Sequence, residues 1–120
     1  MSDAVELRLE TIDIRRVARL LERYPAGLER IFTAQEIAYC ASNRRKPNQH
    51  YAARLAAKFA VRRLLGGGGL REIEIVRDSL GSPRLELSGR AARLSSGISL
   101  QLSLSHEGIL AAAYVSAESV

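Results

Sequence analysis

This chain has few of the residues that usually betray a special chemistry. Its 120 residues include one cysteine, one methionine, three prolines and no tryptophan. With Cys40 alone, an internal disulfide and a cysteine-rich zinc site are both excluded, which fits a reducing compartment. Cys40 itself reads as a small residue on a helix. Aromatic residues are 5% of the chain, all Tyr or Phe, and no basic run is interleaved with them as a platform for stacked bases would require. No apolar run approaches the roughly 20 residues that span a bilayer, and the opening MSDAVELRLE alternates apolar and charged residues unlike a secretory signal. A cytoplasmic protein with neither a membrane nor a nucleic-acid partner is expected.

What is present is a moderately apolar chain (47%) with 18 basic and 13 acidic residues, a net charge of +5. That length supports one core, so residues 1–120 read as a single domain. The positive balance favours an anionic partner, although charge alone does not separate nucleic acid from phosphate-rich cofactors or acidic proteins.

Periodicity sets out the elements. Val5, Leu7 and Leu9 alternate with Glu6 and Arg8 as in a half-buried strand, and Asp13 stands where that strand gives way to a helix. From Ile14 to Arg23, Ile14, Val17, Leu20 and Leu21 recur at helical spacing beneath a basic outer face. Thr33 followed by Glu36 forms a capping box for a helix to about Cys40. The segment from Ser42 to Gln49 is basic and broken by Pro47, which predicts an exposed loop. A third helix from Tyr51 to Leu65 carries Tyr51, Leu55 and Phe59 four apart among alanines, and Gly66 to Gly69 ends it. Beyond lie a hairpin (Glu72 to Val76 with Arg84 to Leu87), a short helix over Gly89 to Leu94, and strands over Ile98 to Leu104 and Ile109 to Val115, the last suited to a central position. The order β-α-α-α-β-β-α-β-β predicts an α+β fold with an antiparallel sheet.

Four stretches carry a resemblance: Thr11-Ile12-Asp13-Ile14-Arg15-Arg16, Arg54 to Gly66 (RLAAKFAVRRLLG), Gly81-Ser82-Pro83 and Ser103-Leu104-Ser105-His106. In order and spacing they resemble the Gly-x-Asp-Ile-x-Glu opening, Arg-Phe-Ala-Ala-Lys-Glu helix, Gly-Lys-Pro turn and Ser-x-Ser-His strand end of the holo-acyl-carrier-protein synthase type of 4'-phosphopantetheinyl transferase. The resemblance implies transfer of the phosphopantetheine arm of coenzyme A to a serine of an acidic acyl or peptidyl carrier protein, for fatty acid or polyketide synthesis, by a homotrimer using magnesium.

Carried over residue by residue, it implies Asp13, Lys58 and Arg63 as catalytic and Arg54, Lys58, Arg62, Arg63 and His106 as coenzyme contacts. Asp13 matches the first metal ligand, while the second ligand position is filled by Phe59. Arg19, Arg23 and Arg30 correspond to the platform for the carrier protein. Taken alone, Arg54, Lys58 and Arg62 form a row of cations that reads as a solvated helix face, and His50 has no motif around it. The loss of a carboxylate at Phe59 favours an alternative: an inactive or repurposed relative that binds a carrier protein or acts as a scaffold.

Overall fold

The computed structural model describes residues 5–120. Strand β1 (Val5–Asp13) leads into helix α1 (Ile14–Arg23), followed by α2 (Gly27–Ile31), α3 (Ala34–Ser42) and the long α4 (Pro47–Leu65). A short 3-10 turn (Leu70–Glu72) precedes β2 (Ile73–Arg77), β3 (Pro83–Leu87), α5 (Gly89–Leu94), β4 (Ile98–Glu107) and β5 (Leu110–Ser119). Among the described residues, no helix is long and apolar enough to cross a membrane.

Local chemistry explains most of the boundaries. Asp13 caps α1 by accepting the backbone N–H of Arg15, and the Thr33–Glu36 capping box opens α3 in full. Pro47 corrects the expected loop: instead of breaking structure it occupies the first turn of α4, where its missing N–H costs nothing. Gly66 closes that helix at φ 76°, a left-handed conformation that a side chain disfavours. Helix α2 is absent from the sequence reading because five residues without a side-chain cap leave no periodic signal.

The strands form two antiparallel sheets, β1-β5-β4 and the hairpin β2-β3. Apolar β5 is central as expected. Its inward residues Ala111, Ala113 and Val115 are fully buried, and so are Ala52, Ala56, Ala57 and Ala60 of α4. Small side chains on both surfaces let the helix lie close against the sheet. Phe32 and Tyr51, with ring centroids 5.0 Å apart, fill the space beside its first turns.

One face of the three-stranded sheet is uncovered. Val5, Leu7 and Leu9 of β1 are 53%, 57% and 61% exposed, so the apolar side of that strand looks outward while Glu10 and Ile12 alternate toward the helix. Leu110 and Tyr114 of β5 extend the exposed face.

Candidate active site

Helix α4 carries two separate basic groups. Arg54 near its start and Arg63 near its end are about 13 Å apart along the axis and point to opposite sides.

The group around Arg54 is the more constrained. Arg54 is 1% exposed, and its guanidinium lies 4.3 Å from the Tyr39 ring centroid, with Arg77 5.5 Å from the same ring. Arg54 Nη1 donates to the His50 carbonyl at 3.4 Å, whereas its buried Nε has no hydrogen-bond partner. The rings of His50 and His106 meet edge to face at 6.1 Å. His50, Arg54, Arg77 and His106, with Ala53, Leu104 and Ser105, line a cavity of about 300 Å³. Burial lowers the pKa of His50, and the neighbouring Arg54, His106 and Arg77 lower it further. Among the described residues no carboxylate pairs with Arg54 or Arg77. A buried guanidinium beside a second one and two imidazoles, without a counter-charge, is a site awaiting an anion.

The second group lies at the other end of α4. Phe59, Arg62, Arg63, Gly66, Gly67 and Arg90 line an open cavity of about 560 Å³. Arg63 Nη1 sits 3.2 Å from Glu10 Oε1, which also accepts from Arg8 Nε at 3.2 Å. A Cβ at Gly67 would stand 3.1 Å from the Arg90 guanidinium, so glycine lets that side chain lie against the backbone. Phe59 is half-buried and packs on the core cluster that contains Tyr51 and Leu55.

Lys58 belongs to neither cavity. It is 0% exposed, and its ammonium donates to Glu36 Oε1 at 2.7 Å, to the Leu70 carbonyl at 2.8 Å and to the Ile73 carbonyl at 2.7 Å. Burial lowers its pKa, and the Glu36 carboxylate works in the opposite direction. This corrects the picture of Arg54, Lys58 and Arg62 as a solvated row. Arg54 and Lys58 are buried, all three donors of Lys58 are engaged within the chain, and only Arg62 is exposed. The hairpin β2-β3, which follows the glycine tract, covers that helix face through Ile73 and Ile75.

Asp13 and His106 lie at one end of the sheet. His106 and Ile12 both pair with Ala111, so Asp13 is one residue beyond the row of His106 and two strands away, roughly 10 Å. Both Asp13 oxygens are engaged by Arg15: Nε at 3.1 Å and the backbone N–H at 2.8 Å on Oδ1, and Nη2 at 2.8 Å on Oδ2. The hydrogen bond from the Arg15 side chain is the main reason its pKa falls to about 2.

That donor set does not fit the expected magnesium ion. A hard cation needs several oxygens at short range, yet Asp13 is bonded to a guanidinium and Phe59 offers a ring. Among the described residues no three His, Cys, Asp or Glu side chains are grouped to hold a metal. Arg19 and Arg23 are exposed on α1 and Arg30 on α2, separate from both cavities.

Comparison with known proteins decides the family. The holo-[acyl-carrier-protein] synthase of Geobacter sulfurreducens is 44% identical over 117 residues, covering 89% of this chain and 91% of that protein. The chain belongs to the holo-acyl-carrier-protein synthase family of phosphopantetheinyl transferases. The synthase of Moorella thermoacetica is 39% identical over 122 residues, covering 96% and 94% of the two chains. Among solved structures, the ACPS–CoA complex of Chronobacterium ammoniagenes matches with a TM-score of 0.81 at 26% identity over 98% of each chain. No protein-family model matches the chain. The α+β fold expected from the sequence is therefore the synthase fold.

Within this synthase scaffold, sequence reasoning missed His50, Arg77 and Tyr39. His50 stands four residues before Arg54 on one helix, a spacing that puts both on one face and was the available signal. Arg77 ends β2 and is brought to Tyr39 and Arg54 only by the tertiary fold.

Proposed function

We propose that this protein transfers the 4'-phosphopantetheine arm of coenzyme A to a serine of an acidic acyl carrier protein. The observation that carries the reading is the buried, uncompensated Arg54 beside His106 of the Ser-Leu-Ser-His strand end. A phosphate of coenzyme A supplies the missing negative charge. Arg54 and Arg77 offer it guanidinium donors, and the imidazoles of His50 and His106 complete the ring around it. Next to His50, a depression of about 430 Å³ is bordered by Arg44, Arg45 and Lys46, which extends the positive surface around that phosphate.

In the transfer, the serine oxygen bonds to the phosphorus that bears the pantetheine arm. The bond from that phosphorus to the bridging oxygen breaks, the bridging oxygen leaves with the adenosine bisphosphate, and the serine proton passes to solvent water. Negative charge accumulates on the departing adenosine bisphosphate, so the protein's task is positioning and charge neutralisation. The arginine platform Arg19, Arg23 and Arg30 holds the acidic helix of the carrier. The uncovered sheet face with Leu7, Leu9, Leu110 and Tyr114 is where copies of the chain assemble as a homotrimer, since an apolar patch of that kind on a free surface marks an interface.

Mass spectrometry of an apo carrier protein incubated with coenzyme A and this protein tests the reading. Gain of one phosphopantetheine on the carrier is the expected result. Phe59 supports one competing reading, a silenced relative, and modification by the Phe59→Glu variant alone would establish it instead. Assembly is tested separately. Leu9→Asp buries a charge in the proposed contact, at a cost of about 3 kcal/mol or more, and is expected to leave a folded monomer by light scattering. An unchanged oligomer would move the interface elsewhere.

A further inference from the structure

The exchange of a ligand carboxylate for Phe59 leaves a question that the rest of the second cavity answers. Three guanidinium groups, Arg62, Arg63 and Arg90, border it. Among the described residues, the acids that bond next to them are Glu10, paired with Arg63 and Arg8, and Glu72, whose oxygens accept the backbone N–H groups of Gly69, Arg90 and Ala91. The positive charge thus exceeds the negative. Arg62 and Arg63 sit in the last turn of α4, where the helix dipole tolerates cations.

We propose that this cavity grips the diphosphate of coenzyme A through Arg63, Arg62 and Arg90 in place of a divalent cation, while the ribose phosphate of the same ligand enters the Arg54 cavity of a neighbouring copy in the assembled protein. The inference rests on the transferase reading for its ligand, but it concerns binding and not turnover. A guanidinium supplies fixed positive charge and paired N–H donors to phosphate oxygens, so it neutralises charge without metal coordination. Glu10 acts as the positioning residue: it holds Arg63 through Nη1 and leaves the other guanidinium donors available. The Phe59 ring provides an apolar wall that keeps water from one side and strengthens the contact. Arg15, by engaging both oxygens of Asp13, removes the remaining carboxylate of the metal motif from competition.

The test is calorimetric titration of the assembled protein with coenzyme A, once with excess EDTA and once with excess magnesium chloride. Affinity is expected to agree between the two within about twofold, and Arg63→Ala and Arg90→Ala are each expected to weaken it about tenfold or more in EDTA. Phe59→Glu is expected to weaken binding in EDTA, because it sets a carboxylate beside the arginines that would hold the diphosphate; unchanged affinity would count against the inference. Wild-type binding that disappears in EDTA, or arginine variants that bind as tightly as the parent, would overturn the inference and leave the transferase reading standing. Absence of binding in both buffers would remove the transferase reading as well.

Discussion

Replacing Lys58 with alanine is expected to lower folding stability by about 3–5 kcal/mol, because it leaves a buried carboxylate without its counter-charge. Glu36 is 1% exposed, and its oxygens also accept the backbone N–H groups of Thr33 and Ile75 at 3.0 Å each. The ammonium therefore ties α3, α4 and the entry to β2 into one polar network inside an apolar core. Without it, the Leu70 and Ile73 carbonyls lose a donor together with Glu36. In a chain of this size the loss corresponds to a fall in melting temperature of roughly 10–20 °C, measurable by circular dichroism. Lys58→Met combined with Glu36→Gln removes both charges and is expected to recover part of the stability, since a buried ion pair contributes little over a neutral replacement. The family motif implies a catalytic lysine here. A Lys58→Ala protein that kept its melting temperature and lost only transfer would restore that role.

Lys58 also shows what a sequence can and cannot disclose. The Thr33–Glu36 capping box is a local pattern and was legible. That the same Glu36 carboxylate meets an ammonium 22 residues later was not, because the contact is made only when α3 and α4 pack. Motif order singled out Asp13, Arg54, Arg63 and His106, but not the placement of Arg54 and Arg63 on opposite sides of α4. Placing Arg54 and Lys58 on a covered face required knowing where the β2-β3 hairpin would dock. On β1 the alternation predicted the strand and could not say which side faces inward. The apolar side looks outward, because the charged Glu10 finds Arg63 and Arg8 on the helix side. Asp13 was legible as the end of a strand and the start of a helix. Its engagement by Arg15 follows from the turn geometry between them.

Arg54→Met is expected to move stability and binding in opposite directions. In the free protein Arg54 is a buried cation whose Nε has no hydrogen-bond partner and which has no carboxylate beside it among the described residues, so its desolvation is opposed chiefly by the Tyr39 ring and one long hydrogen bond. A methionine of similar reach removes that penalty and retains the apolar contact, so thermal stability should be unchanged or higher. Binding should suffer, because a charged donor to a phosphate contributes about 1.5–3 kcal/mol, or roughly 10- to 150-fold in affinity. Titration with coenzyme A and a melting curve on one preparation measure both quantities. A variant that lost stability and affinity together would mark Arg54 as part of the core. Unchanged affinity would show that the phosphate sits elsewhere. The opposite signs are expected because a site built to receive an anion must hold its positive charges uncompensated until the ligand arrives.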